Sequence, residues 1–140
     1  FYPIAPFSSR WPMEEVRENL LYTRDHLWIS LDGPIARYGL TDYAQKELGE
    51  VVYLDMPRTG GAAVAGREYG GVESLKSVGP PYFPVSGKIV DVNDKIDAAP
   101  MLINESPYDD GWIAAIEMSN PDEADGMMSP REYSEFLSTL

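Results

Sequence analysis

Two β-like runs flank a turn in the stretch Val72-Glu-Ser-Leu-Lys76-Ser-Val-Gly-Pro-Pro81-Tyr-Phe-Pro-Val-Ser-Gly87. The first run covers residues 68–75, and the second starts at Tyr82 and continues past Gly87 to Val92. Glycine and two prolines between them predict a hairpin whose tip spans residues 76–81. Lys76 then lies on an accessible turn, where its amine can be acylated while the sheet stays intact. By itself this signal is weak, because most exposed lysines are solvated charges.

Further strands and turns are predicted on the N-terminal side of this hairpin. Alternating apolar residues in 26–31 predict a strand, residues 32–34 a turn, and Ile35 to Leu40 a returning strand. Thr41 is a predicted N-cap for a helix from Asp42 to Leu48, which Gly49 ends. Residues 50–56 predict the next strand.

On the C-terminal side, a short segment at 101–104 and a loop precede a predicted last strand at 112–118. Ser129-Pro-Arg-Glu132 has the spacing of a capping box and predicts a terminal helix from Pro130 to about Leu137. Many short, turn-separated segments indicate a mainly β sandwich or flattened barrel with small helices at its margins.

The N-terminal residues differ from the rest of the chain. Two prolines within residues 1–9 predict an irregular arm, and Ser9 to Leu21 is predicted to be helical. We therefore expect an N-terminal arm and helix at 1–21 and a single domain at 22–140. The N-terminus lacks the basic start of a signal peptide.

Composition excludes several function classes. The chain has 140 residues and no cysteine, which excludes disulfides, thiolate metal sites and cysteine nucleophiles. With 11 basic and 23 acidic residues the net charge is −12, which disfavours nucleic acid and anionic membranes as partners. No apolar run approaches the roughly 18 residues of a membrane span.

Acidic residues are concentrated near the C-terminus. Residues 105–135 hold nine acids and one base, a net charge of −8. Such a segment is either a solvated face that keeps the protein soluble or a docking surface for basic partners. The nine acids are Glu105, Asp109, Asp110, Glu117, Asp122, Glu123, Asp125, Glu132 and Glu135.

Catalytic and metal-binding motifs are incomplete. His26 is the only histidine and cannot form a histidine metal site by itself. The segment that starts at Asp91 resembles a calcium loop, but Lys95 and Ile96 replace the required ligand and glycine. Gly87-Lys88 lacks the other residues of a phosphate-binding loop. Neither a metal site nor self-contained catalysis is expected.

The hairpin residues Val72-Glu-Ser-Leu-Lys76-Ser77 and Tyr82-Phe-Pro-Val-Ser-Gly87 resemble the lipoylation hairpin of the glycine cleavage system H protein family. Further matches are Tyr22-Thr-Arg-Asp-His-Leu-Trp28, Gly39-Leu-Thr-Asp-Tyr-Ala-Gln45, Leu48-Gly-Glu-Val-Val52, Asn104-Glu-Ser-Pro-Tyr108 and Gly111-Trp112. The resemblance runs from about Tyr22 to Leu137 in consistent order. It implies a lipoyl/biotinyl-type barrel-sandwich hybrid, or hammerhead, with short flanking helices.

The resemblance also implies a cofactor and a role. Lipoate would be attached by an amide bond to Lys76, and the arm would shuttle intermediates and electrons between partner enzymes while the protein itself catalyses nothing. Glu73 resembles the family's acidic residue in recognition by the lipoylating enzyme, beside Ser74 and Ser77. His26 resembles the family histidine near the cleft where the arm rests. On the bare sequence, an exposed strand acid is an equally good interpretation of Glu73, and His26 is more often an ordinary strand histidine.

Differences from the family pattern bear on the pathway. Ser77-Val-Gly-Pro-Pro81 replaces a sequence close to Ala-Ala-Ser-Asp-Ile, and Leu27 stands where the family signature has an acid. These differences favour a lipoate-binding branch that serves sulfur oxidation with a heterodisulfide-reductase-like complex. The alternative is the glycine cleavage H protein, which carries an aminomethyl group from glycine decarboxylase to aminomethyltransferase.

The expected partners follow from the same resemblance. They are a lipoate ligase or lipoyl transferase, then the heterodisulfide-reductase-like complex or the glycine cleavage enzymes, including dihydrolipoyl dehydrogenase. We expect a monomer in the bacterial cytoplasm, with the mitochondrial matrix as the alternative. Rival classes are a biotin carrier, which Leu75 and Ser77 disfavour, a lipoyl domain of a 2-oxo acid dehydrogenase, and an unmodified H-like binding protein.

Overall fold

A computed structural model describes residues 14–75 and 78–140 of the chain. The strands are β1 (Leu21–Tyr22), β2 (Leu27–Asp32), β3 (Ile35–Leu40), β4 (Val51–Leu54), β5 (Ala62–Ala63), β6 (Val72–Ser74), β7 (Val78–Gly79), β8 (Gly87–Val92) and β9 (Ala114–Met118). The helices are α1 (Asp42–Leu48), α2 (Lys95–Ala98), α3 (Leu102–Glu105), a 3-10 helix (Pro121–Gly126) and α4 (Pro130–Leu137). The predicted mainly β fold with short helices is confirmed.

The strands form two antiparallel sheets that enclose the main core. The larger sheet has six strands in the order β1-β2-β3-β9-β8-β5, and the smaller has three in the order β4-β6-β7. Side chains from both sheets meet in one cluster, which includes Ile29, Tyr38, Val51, Val72 and Ile116. The small sheet, which includes β6 and β7, is thus fixed to the large one by shared apolar burial.

A second cluster lies around β1, the start of β2 and helix α4. It consists of Leu20, Tyr22, Trp28, Tyr108, Tyr133 and Leu137. Trp28 is 2% exposed although it alternates with the core-facing Leu27 and Ile29, because this second cluster covers the other face of β2. The rings of Tyr22 and Tyr133 stack with centroids 4.5 Å apart, which attaches α4 to β1.

Helix ends predicted from the sequence are confirmed. The Thr41 hydroxyl accepts the Ala44 amide at 3.2 Å, and the Gly49 amide donates to the Gln45 carbonyl. At α4, Ser129 and Glu132 form the reciprocal capping box. In both cases a side chain satisfies backbone donors that a helix start leaves free.

The predicted helix at Ser9–Leu21 is wrong for its described part, residues 14–21. Instead of helical bonds, the Glu15 amide donates to Asp42, and the Tyr108 hydroxyl donates to the Glu15 carbonyl. The Arg17 amide and carbonyl both bond the Tyr22 hydroxyl. These tertiary partners satisfy the backbone better than a short helix, whose nucleation is costly. Residues 1–13 lie outside the described part of the chain, and the division at residue 21 stays a prediction.

The predicted pairing of the hairpin is wrong: the second run contributes β8 (Gly87–Val92) to the large sheet, where it pairs with β9 and β5 and not with β6. Val78 and Gly79, placed in the turn by their sequence, form β7 and pair with Glu73 and Val72. Four further elements had no sequence signal strong enough to predict them: β1, β5, α2 and the 3-10 helix. In the part of the chain that the structure describes, no helix has the length and apolarity to cross a membrane.

Candidate functional site

The strands on either side of the predicted attachment lysine are paired. Strand β6 ends at Ser74 and β7 begins at Val78, with Glu73 opposite Val78. Lys76 and Ser77 lie outside the described residues. The lipoyl attachment to Lys76 therefore stays a prediction, while the strands that border it are part of the ordered sheet.

Residues just before Lys76 are anchored to the rest of the domain. The Ser74 hydroxyl donates to the Leu48 carbonyl at 2.5 Å, at the C-terminal end of α1. The Leu75 amide donates to the Glu50 carbonyl at 3.0 Å. Glu73 is exposed and stands across from Tyr53 on β4. Ser74 is thus fixed to the end of α1 and Glu73 is exposed, and their part in recognition by the lipoylating enzyme stays a prediction.

An apolar cleft of about 290 Å³ lies between α1 and the segment that follows β7. Its lining includes Pro80, Pro81 and Tyr82, which directly follow β7, together with His26 and Ala44. The remaining lining residues are Asp25, Leu27, Leu40, Glu47, Leu48, Leu54, Val72 and Ile113. The hairpin and the cleft therefore belong to one continuous site.

His26 lines this cleft, and its role as the histidine beside the resting arm stays a prediction. Its Nδ1 is 2.8 Å from the Tyr133 hydroxyl, which is also 2.8 Å from the Thr41 hydroxyl. The ring packs against Tyr43 and Phe136 with centroid distances of 4.5 and 5.6 Å. Burial lowers the pKa of His26 below its usual 6.5, and the carboxylates of Asp25 and Glu47 oppose that shift. The neutral imidazole is therefore favoured at pH 7.

The backbone of His26 has an unusual conformation. Its φ is +65°, in the left-handed region, and it is the one such residue other than glycine within the described ranges. The Thr41 amide donates to the His26 carbonyl at 3.1 Å. A left-handed residue is retained where its surroundings over-determine it. Here the result is an imidazole held between helices α1 and α4 at the cleft.

The segment 80–82 that lines the cleft is held by residues that no sequence motif indicated as part of a site. Tyr69 bonds through its amide to the Pro81 carbonyl at 3.0 Å, and its hydroxyl lies 2.8 Å from that of buried Tyr38. Its ring stacks on Phe83 at 4.2 Å. Burial raises the pKa of Tyr38 and Tyr69 well above 10, so both remain neutral phenols. The sequence offered one indication of this role: Tyr69 is an aromatic residue in the β-like run just before Val72.

The acidic segment 105–135 does not form one free surface. Asp109 pairs with Arg17 at 3.0 Å, and Glu135 pairs with Arg131 at 3.5 Å. Glu123 accepts the Ser86 amide, and Glu132 caps α4. The prediction that this segment docks basic partners stays a prediction. Among the described residues, no group of three or more histidines and carboxylates is arranged to hold a metal ion.

Comparison with known proteins identifies the family. The family model for the glycine cleavage H-protein matches residues 20–140. The glycine cleavage system H protein of Carboxydothermus hydrogenoformans is 44% identical over 125 residues, which cover 89% of this chain and 96% of that protein. The mitochondrial glycine cleavage system H protein of Flaveria trinervia is 44% identical over 132 residues, covering 94% of this chain and 80% of its own.

A solved structure agrees with this assignment. The crystal structure of a glycine cleavage system H protein from Mycobacterium marinum matches with a TM-score of 0.80 and 30% identity, covering 88% of this chain and 99% of that one. These relatives favour the glycine cleavage alternative, and none of them supports the sulfur-oxidation preference drawn from residues 77–81. The chain belongs to the glycine cleavage H-protein family, and it is a non-catalytic component that carries lipoate covalently on a lysine.

Proposed function

We propose that Lys76 is the lipoylated lysine and that the protein is the carrier of a glycine cleavage system. The observation that carries this proposal is the paired hairpin β6–β7, anchored by Ser74 and Leu75 immediately before Lys76 and continuous with an apolar cleft. Such a fixed base suits a neighbouring lysine that must be acylated and then reach other active sites.

The cleft is suited to an arm of this chemistry. A lipoyl-lysine reaches on the order of 15 Å from its Cα by ordinary bond lengths. The aliphatic chain and dithiolane are apolar, as are the walls formed by Leu40, Leu54, Val72 and Pro80. When bound, lipoate supplies a disulfide that can be reduced, which a cysteine-free chain lacks. His26, held neutral at the cleft, would present an uncharged ring to the arm.

The proposed partners follow from the pathway. A lipoate ligase or lipoyl transferase would modify Lys76, and glycine decarboxylase, aminomethyltransferase and dihydrolipoyl dehydrogenase would use the arm. The bacterial cytoplasm and the mitochondrial matrix, the two locations expected from the sequence, both contain such systems. The protein would raise the effective concentration of the arm at each enzyme.

Lipoylation of the purified apoprotein tests the attachment site. Incubation with lipoate, ATP and a lipoate ligase should add one lipoyl mass, located on Lys76 by peptide mapping. Lys76→Arg should abolish the addition, because guanidinium stays protonated and is a poor acyl acceptor. Lys88→Arg is the matched control, since Lys88 is an exposed lysine on β8, and it should be modified normally. Modification of Lys88 in place of Lys76 would refute the assignment.

A reconstituted assay tests the pathway separately. Protein lipoylated on Lys76 should support glycine decarboxylation when it is combined with standard glycine decarboxylase, aminomethyltransferase and dihydrolipoyl dehydrogenase. Grafting Ala-Ala-Ser-Asp-Ile in place of residues 77–81 measures how much the stiff proline segment limits that activity. If the lipoylated protein and the graft both fail, the glycine cleavage assignment is rejected while the carrier assignment stands.

A further inference from the structure

A β-bulge places two consecutive apolar side chains on the outside of the small sheet. Val51 pairs with Ser74 and Tyr53 with Glu73, so Val52 is an extra residue without a partner on β6. Val52 and Tyr53 are 45% and 48% exposed, whereas the flanking Val51 and Leu54 are 2% and 3% exposed. Regular alternation would turn one of the two inward, and bulges re-aim side chains in this way next to functional sites.

A third apolar side chain extends this surface toward the attachment lysine. Leu75 is 72% exposed, and its amide bonds the Glu50 carbonyl at 3.0 Å beside the start of β4. We call Val52, Tyr53 and Leu75 the bulge patch. Exposing a large leucine to this extent forgoes the burial that stabilises apolar groups elsewhere. Leu75 directly precedes Lys76 in the chain.

Carboxylates surround the Tyr53 side of the bulge patch. The Tyr53 hydroxyl donates to Asp55 at 2.5 Å, and this bond, together with the charges of Asp55, Asp97 and Glu73, raises the pKa of Tyr53 above 10. Within the described residues, the charged groups that act on this hydroxyl are these carboxylates. A surface complementary to the patch has an apolar centre and a basic rim.

The short reach of an unmodified lysine determines which partner enzyme must contact the bulge patch. A bare lysine extends its amine only about 6 Å from Cα, so the enzyme that acylates it has to contact the base of the hairpin. Enzymes that use the finished arm, on the order of 15 Å long, can dock farther away. We propose that the bulge patch is the docking surface for the lipoate-attaching enzyme, an inference that rests on the proposed lipoylation of Lys76.

Initial rates of lipoylation test this inference. The apoprotein is titrated against a lipoate ligase with lipoate and ATP, and product is followed by intact mass. The double variant V52S/Y53S should raise the KM for the apoprotein about tenfold, as expected when a central apolar contact is lost, with kcat little changed. The control L31S/V90S removes two apolar side chains that are 44% and 36% exposed on the large sheet, and it should stay within about twofold of wild type.

Further variants separate docking from folding. Tyr53→Phe keeps the ring and removes the bond to Asp55, and it should retain most of the wild-type kcat/KM. Melting temperatures of all variants establish that the sheet is intact. A kcat/KM for V52S/Y53S equal to that of L31S/V90S would overturn the docking inference, provided that wild type is modified on Lys76. If wild type is not modified on Lys76, the proposed function fails together with the inference.

Discussion

At the residue scale, His26 makes stability depend on pH in a window where few other groups titrate. Burial lowers the pKa of His26 in the folded protein below 6.5, so the unfolded chain binds more protons once the pH falls below that value. The stability from a neutral His26 is present above pH 6.5 and is lost as the pH falls through the folded pKa. Among the facing groups, Asp25 and Glu47 oppose the shift, while Tyr43 and Tyr133 stay neutral.

Thermal unfolding between pH 7.5 and 5 measures this dependence. Wild type should lose more stability over the window than His26→Asn, because asparagine tolerates the left-handed φ of +65° but does not titrate. The carboxyls of Asp42, Asp109 and Glu132 have lowered pKa values, so they change the stability of the protein only below this pH window. Parallel curves for wild type and His26→Asn would contradict the prediction.

Gly87 is a second single residue with a large expected effect. A Cβ at this position would lie 2.0 Å from the Glu117 carbonyl oxygen, and the backbone has a φ of +153°. Gly87→Ala should therefore destabilise the protein by more than about 3 kcal/mol, because backbone atoms of two paired strands must separate. Gly66→Ala is the matched control: its φ is +77° but nothing lies within 4 Å, so only backbone strain of about 1–2 kcal/mol is expected. Urea unfolding distinguishes the two, and equal losses would refute the steric argument.

At the scale of elements, a capping box at Ser129 and Glu132 fixes where helix α4 begins. The Ser129 hydroxyl accepts the Glu132 amide at 3.1 Å, and the Glu132 carboxylate accepts the Ser129 amide at 2.8 Å. Ser129→Ala should cost about 1 kcal/mol of unfolding free energy. Ser134→Ala, on the exposed side of the same helix, should be neutral or slightly stabilising. Equal effects of the two substitutions in urea unfolding would contradict this role for the cap.

Elements with local signals were predictable, and those fixed by distant partners were not. Helices α1 and α4 carry their caps within a few residues, so their bounds follow from the sequence. Residues 14–20 have helical composition, but Asp42, Tyr108 and Asp109, far along the chain, bond them in an irregular conformation. The same limit applies to the bulge in β4, which exists only in the pairing with β6.

Only part of the candidate site was predictable, because some of its residues are held in place by partners that are distant in the sequence. Strand β6 before Lys76 lies within a run that the sequence predicted, and His26 was selected by a motif that matched a family. The cleft lining at Pro80–Tyr82 does not follow from the sequence, because it depends on bonds from Tyr69 and on pairing of β7 within what the sequence indicated as a turn.

At the scale of the whole molecule, the net charge of −12 governs encounters with partners. Attraction of a basic partner should weaken as salt rises through physiological strength, where the screening length is about 8 Å. Lipoylation rates at subsaturating apoprotein should therefore fall between 20 and 300 mM salt.

Variants that replace aspartates with asparagines test which charges cause the salt dependence of lipoylation. D122N/D125N removes acids of the 105–135 segment for which no ion pair is found in the described residues, and D55N/D97N removes acids near the bulge patch. The second pair should flatten the salt dependence of lipoylation more than the first. A rate that does not change with salt would leave the acidic residues with a solubility role alone.

The position of β9 in the large sheet has a consequence for synthesis of the protein on the ribosome. This strand pairs with β3 on one side and β8 on the other, yet it is the last strand in the chain, at residues 114–118. Until those residues have been translated, β3 and β8 both present open edges, which are templates for pairing with other chains. A nascent chain of this protein therefore remains open to aggregation until nearly all of it has been made, and premature termination before residue 114 leaves a product that cannot close its core.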